Sequence, residues 1–293
     1  MRNRFFTEVT WQGIPLEGRA RYEHRMISLG SCFSDNIGRW LSDLEFQISV
    51  NPFGTLYNPL SLTKALFLLS NSSFKFSEED LFYDGSHYRS FMHHSRYAHQ
   101  DSREALEQMN RDLQKGREHL LHGEWLFLTL GTSYYYRLLE TGAVVANCHK
   151  LPAQKFQKEC LKSTESTQAL SDILAPLLLQ NPRLRIIITV SPIRYLCYGA
   201  TDNMRSKAIL LQTAGYLEQT FPEHIYYFPA FEMMMDELRD YRFYAQDLIH
   251  PSDLAIELIR EKLLQGWLHP DEEKELLERS NALRKKRHRI LLS

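Results

Sequence analysis

Five short, mostly apolar runs constrain this chain most: residues 26–29, 46–50, 125–130, 184–190 and 225–228. A strand with one wet face alternates apolar and polar side chains. A run that stays apolar is covered on both faces, as in a parallel sheet. Helical patterns separate the runs. After the first, Ile37, Trp40, Leu41 and Leu44 fall at i, i+3, i+4 and i+7 and form one apolar stripe. Residues 60–69, 105–121, 156–179 and 208–217 are further expected helices. Strand–helix alternation with right-handed crossovers predicts an α/β fold, a three-layer α/β/α sandwich around a mainly parallel five-stranded sheet. Two turn signals interrupt the rhythm, Asp84-Gly85 and Thr141-Gly142, each between short apolar segments. They predict hairpins inserted at one end of the sheet.

The charge balance narrows the function classes. Thirty-five basic and 36 acidic residues leave a net charge of −1, so no global field steers the protein to nucleic acid or anionic lipid. No apolar run approaches the ~18 residues of a membrane span. The N-terminal stretch has two arginines but no apolar signal region. Four cysteines without CxxC spacing fit reduced thiols. The expected location is therefore the cytoplasm, with no membrane and no nucleic-acid partner. The tail from Asp271 to Arg289 runs from acidic to basic, which complements a helix dipole and predicts a surface helix. The expected organisation is an extension over 1–25, one α/β domain over 26–268 and a charged C-terminal helix over 269–293.

Two short segments could carry chemistry. At Gly30-Ser31, a strand runs through a tight turn into an amphipathic helix, placing a serine beside helix N-terminal amides that favour negative charge. Such donors are what a tetrahedral oxyanion requires. Read alone, Ser31 is equally a turn residue or a helix cap. Near the end of the domain, Asp247 and His250 stand three residues apart, and Pro251 biases His250 away from helix. That spacing lets the carboxylate hold one imidazole nitrogen while the other faces a serine. Read alone, the pair is a turn cap and a surface histidine. The chain has no GxSxG elbow, Walker loop or GxGxxG, and no cofactor or metal is called for.

Together, a serine after the first strand and a DxxH before the last helix follow the chain order of SGNH/GDSL hydrolases. The run Gly30-Ser31-Cys32-Phe33 resembles the signature of the GSCFA-domain family, with Ser34 where that family usually carries Ala. Similar stretches continue through NPFGTLYNP (51–59), HHSRYAH (93–99), TLGTS (129–133), VANCHKLP (145–152), TVSPIRY (189–195) and the segment 236–252. The resemblance implies an SGNH/flavodoxin-like sandwich in which Ser31 is the nucleophile, His250 its base and Asp247 the orienting carboxylate. It implies an oxyanion glycine at Gly54. The Asn of the usual GxND block is absent, since the block reads Gly131-Thr132-Ser133-Tyr134, so Asn147 or Ser133 is the expected substitute.

Other residues remain open between roles. Cys32 is expected to sit buried behind the site, since neighbours in a turn point apart. His93, His94 and His99 lack the accompanying carboxylate or thiolate of a metal set. His94 and Arg96 are expected instead on a substrate-facing loop. Asn147, His149 and Lys150 are candidates for substrate contact or for hairpin-end hydrogen bonding. Arg194 follows the fourth strand, at the edge where open α/β sheets bind ligands. Tyr134–Tyr136 could be hairpin core or a sugar-stacking surface. The expected activity is hydrolysis of an acyl or acetyl ester of a carbohydrate or small metabolite through an acyl-serine. Acyl transfer by the same triad and non-catalytic binding of a glycan or acylated ligand stand beside it.

Overall fold

The computed structural model describes residues 7–291, with side chains through Lys285. In chain order the elements are β1 (Arg25–Gly30), α1 (Cys32–Asp43), β2 (Gln47–Val50), α2 (Pro59–Ser70), β3 (Phe82–Tyr83), β4 (Tyr88–Arg89), α3 (Ser102–His122) and β5 (Trp125–Leu130). They continue with β6 (Tyr134–Leu138), β7 (Val144–Val145), β8 (Phe156–Cys160), α4 (Ser163–Gln180), β9 (Arg185–Val190), α5 (Ala200–Thr220) and β10 (Ile225–Tyr227). The short α6 (Ala230–Glu232), α7 (Asp253–Trp267) and α8 (Glu273–Leu291) complete the chain.

The five apolar runs form one sheet in the order β10-β9-β5-β1-β2, with every neighbouring pair parallel. Side chains alternate between its faces as the pleat requires. Ile27 and Leu29 of β1, with Leu126, Leu128 and Leu130 of β5, pack under α2 to α5. Met26, Trp125 and Phe127 point the other way, to a second core built with Ile37 and Leu41 of α1 and Ile259, Leu263 and Trp267 of α7. Both faces are covered, which is why the strands read as mostly apolar runs. The fold is α/β, a parallel sheet between two helical layers.

The strand order decides where a site can lie. From β1 the chain moves outward to β2, then crosses back to β5 on the other side of β1. The ends of β1 and β5 thus flank the point where the winding reverses, the crevice in which open α/β sheets hold ligands.

Both inserted hairpins form, β3 with β4 and β6 with β7. The second is larger than expected. Residues 156–160, read as the start of a helix, are strand β8 and pair antiparallel with β6 along its full length. Helix α4 starts only at Ser163, where Glu165 accepts the Lys162 amide. Helical spacing continued by chance through Phe156, and the available edge of β6 outweighed it.

The N-terminal extension packs on the second core: Ile14 and Ala20 are buried, and Trp11 meets Phe228 edge-to-face at 4.8 Å. The tail is helical, as α8, and Arg279 anchors it by pairing with Glu275 and Glu45 and lying 4.1 Å from the Tyr22 ring. The basic side chains from Lys286 onward lie outside the described residues. Among the described residues no helix is long and apolar enough to cross a membrane.

Candidate active site

Ser31 stands at the end of β1 and is the N-cap of α1, its Oγ accepting from the Phe33 amide at 3.4 Å. It is only 2% exposed. Gly30 makes the turn possible: its φ is +144°, and a Cβ there would run into the Thr129 carbonyl of β5. Gly131, after β5, comes so close that a Cβ on it would lie 3.3 Å from Ser31 Cβ. The two strand ends of the crevice therefore touch at the serine. The first amides of α1 have no acceptor within the helix and supply positive potential there.

A buried network braces this turn. Asn51, after β2 and fully buried, accepts the Gly30 amide on Oδ1 at 2.9 Å and donates through Nδ2 to Asp35 at 3.3 Å. Its φ of +43° lies in the left-handed region, which Asn tolerates. Arg96 donates to the Asn51 carbonyl at 2.6 Å and pairs with Asp35 at 3.6 Å. Arg96, expected on a substrate-facing loop, is thus committed to holding the loop behind Ser31. Neither Asn51 nor Asp35 was singled out by sequence. The only signal for Asn51 was its place in the NPFGTLYNP stretch.

Asp247 and His250 form a tight turn. Asp247 Oδ1 accepts the amides of Ile249 (2.9 Å) and His250 (3.0 Å), while Oδ2 meets His250 Nδ1 at 2.6 Å. The His250 amide first, then the Ile249 amide and the imidazole, hold the Asp247 carboxyl down at about 2. The turn puts Leu248 at φ +57°, a conformation bulky side chains rarely adopt. Arg194, after β9, donates its amide to the Ile249 carbonyl at 3.3 Å, which ties this turn to the same edge of the sheet as Ser31. Both side chains of the pair are about half exposed. Among the described residues Ser31 Oγ has the Phe33 bond, and no hydrogen bond joins it to His250.

Of the expected oxyanion donors, Gly54 and Ser133 are engaged elsewhere. The Gly54 amide donates to Asn51 O at 2.7 Å. Ser133 is fully buried, with its hydroxyl bonded to Ser206 at 3.0 Å. Asn147 turns its Oδ1 to the His149 amide at 2.8 Å. The expected substrate contacts also scatter. His94 accepts the Arg96 amide and packs against Gly54, while His149 contacts the Ser90 carbonyl at 2.8 Å and lies against Phe82. Burial lowers the pKa of both imidazoles. Lys150 is exposed with φ +58°, and Arg194 is half buried. His93 is sealed in, ringed by Phe53, Phe76 and Tyr97 with neither ring nitrogen bonded, and burial pushes it down to about 3.

Cys32, expected to be buried, is half exposed with Sγ 3.3 Å from the Tyr57 hydroxyl. The Tyr57 carbonyl accepts the amides of Gly131 and Thr132, both at 2.8 Å. Further out, Tyr198 meets Tyr134 and Tyr195 at 4.7 and 5.1 Å, with Lys158 over its ring at 4.0 Å. Tyr57 and Tyr195 keep 37% and 47% of their surface exposed.

Comparison with known proteins adds a family. The model of the GSCFA family matches residues 25–263. None of the curated proteins matches the chain. Among solved structures, one from Streptococcus pneumonia described as a platelet activating factor aligns with a TM-score of 0.41 and 14% identity over 83% of each chain. An acetyl xylan esterase from the rumen bacterium Butyrivibrio proteoclasticus aligns with a TM-score of 0.35 and 10% identity, over 84% of this chain and 64% of its own.

Proposed function

The chain belongs to the GSCFA family, and on that premise we propose that it is a serine hydrolase of the SGNH type that cleaves an ester through an acyl-serine. One observation carries this reading: Ser31 caps α1 in the crevice between β1 and β5, and a preformed Asp247–His250 pair is tied to the same edge of the sheet. In the proposed cycle His250 Nε2 takes the Ser31 proton as Oγ attacks the ester carbonyl. Asp247 keeps Nδ1 protonated and stabilises the imidazolium. The imidazolium then protonates the departing alcohol, leaving an acyl-serine that water hydrolyses with the same base. The oxyanion is held by the first-turn amides of α1 in place of the engaged Gly54 and Ser133 donors.

This cycle requires His250 to approach Ser31, and hydrogen bonds absent or long in a free enzyme commonly tighten with substrate. The exposed Tyr57, whose hydroxyl meets Cys32 next to Ser31, with the tyrosine cluster further out, favours a sugar or other small polar alcohol as leaving group, since aromatic faces stack on carbohydrate rings. The ester is most simply an acyl or acetyl ester of that alcohol. The missing Ser31–His250 bond and the engaged donors also support a second reading, a non-catalytic protein that holds a glycan or acylated ligand at this crevice.

A fluorophosphonate probe with mass mapping separates the two. The hydrolase reading expects one adduct on Ser31, absent in Ser31→Ala and strongly reduced in His250→Ala. Folded wild-type protein that takes no label favours the binding reading.

A further inference from the structure

Lys207 on α5 is 1% exposed, yet no carboxylate lies within ion-pair reach of it among the described residues. Its Nζ donates to two carbonyls, Gly131 O at 2.8 Å and Ser191 O at 2.7 Å, and lies 5.6 Å from the Phe231 ring. Burying an amine without an acid costs free energy, so an apolar side chain would serve a plain core better. The two acceptors are the first residues after β5 and β9, at the sheet edge that carries Ser31 and the Asp247–His250 turn. Gly131 is the residue pressed against Ser31. Charged ammonium and neutral amine both have the two N–H donors these carbonyls need.

The neighbouring buried positions of α5 act on the same segment. Ser206 Oγ accepts the Ser133 amide at 2.8 Å and meets Thr132 Oγ1 at 3.1 Å. Asn203 accepts the Tyr195 amide at 2.9 Å. At i, i+3 and i+4, these three residues give the helix one polar stripe, turned inward.

We propose that Lys207 is a positioning residue of the Ser31 site: by clamping the carbonyls of Gly131 and Ser191 it fixes the ends of β5 and β9 and so holds Gly131 against the nucleophile. This rests on the serine-hydrolase reading for its catalytic consequence, while the clamp itself is testable without activity. Lys207→Met keeps the stem and removes both donors. Misplacing a reacting group by about 1 Å costs on the order of 10²-fold in rate. Fluorophosphonate labelling of Lys207→Met is expected to slow by about that factor, in the limiting rate rather than in the half-saturating probe concentration. The melting temperature changes little, because removing a buried amine that has no acid partner offsets leaving the Gly131 and Ser191 carbonyls without their donor. Amide exchange speeds up at Gly131, Thr132 and Ser191 and not across the sheet.

Labelling at the wild-type rate overturns the proposal, as does slower labelling with unchanged exchange at those amides. Slower labelling that accompanies a lower melting temperature and sheet-wide exchange also overturns it, since Lys207 would then serve the fold as a whole. If wild-type protein takes no label, the hydrolase reading fails and exchange alone decides. Deprotection confined to those three amides upholds the clamp, and unchanged protection overturns it.

Discussion

Ser31 and the Asp247–His250 pair, proposed as two halves of one machine, are held in opposite ways. The serine is buried, gripped by Gly30 and Gly131 from adjacent strands and by the Asn51 side chain from a third. The acid–base pair is half exposed and internally complete, since Asp247 satisfies the turn that presents His250. One backbone bond from Arg194 and a bridge between Tyr244 and Pro251 fasten that turn to the body. Ser31 is thus located by long-range sheet packing, and His250 by a local turn that could form almost anywhere on a surface. Damage to the packing that grips Ser31 is expected to appear in stability and rate together, and damage to the Asp247–His250 turn in rate alone.

The largest effects test the rate side. Ser31→Ala removes the fluorophosphonate adduct altogether while changing the melting temperature little, because the Oγ cap is long at 3.4 Å. Asp247→Ala is expected to slow labelling by roughly 10²–10⁴-fold, the usual range for losing the support of a general base. It leaves the melting temperature unchanged, because the carboxylate is solvent-exposed. A drop in melting temperature for Asp247→Ala would break the contrast between the two regions.

Asn51→Ala tests the buried side. It strands the Gly30 amide and removes the link to Asp35, so chemical denaturation is expected to show a loss of about 2–3 kcal/mol. Labelling of the surviving folded fraction should slow as well. A stable variant that labels normally would show that β1 and β5 suffice to place the serine.

His93 lies in the same buried region and gives a pH test. Burial holds its folded pKa at about 3, below the ordinary 6.5. Between those values the unfolded chain binds a proton that the folded chain refuses, so stability rises with pH across the window and is lost as pH falls. The contribution is at most about 1.4 kcal/mol per pH unit. His93→Leu should therefore flatten the acid side of a stability-against-pH curve. An unchanged slope would mean that His93 takes up its proton without unfolding.

The smallest effect concerns Ser34, where the family usually carries Ala. Its Oγ is buried without a partner and lines a small apolar void with Phe33, Phe127 and Phe228. Ser34→Ala is expected to be neutral or stabilising by about 1 kcal/mol, read by denaturation, with labelling unchanged.

What the sequence determined was whatever depends on local pattern. The central strands follow from short, mostly apolar runs, the first hairpin from Asp84-Gly85, and the Asp–His contact from a three-residue spacing closed by its own backbone. Ser31 at a strand-to-helix turn was legible for the same reason. Tertiary structure decided what depends on partners far along the chain. Strand β8 exists because β6 offered it an edge, against a helical pattern. Arg96 became a brace because Asn51 and Asp35, from other elements, meet it. Ser133 was expected as an oxyanion donor, yet its hydroxyl was taken by Ser206, a residue that only folding brings near. Lys207 is the clearest case. A lysine on a helix reads as solvated surface, and only the packing of α5 under the ends of β5 and β9 turns its amine into a buried link between two carbonyls. Local geometry is fixed by neighbouring residues, but burial and hydrogen-bond partnership belong to the assembled fold.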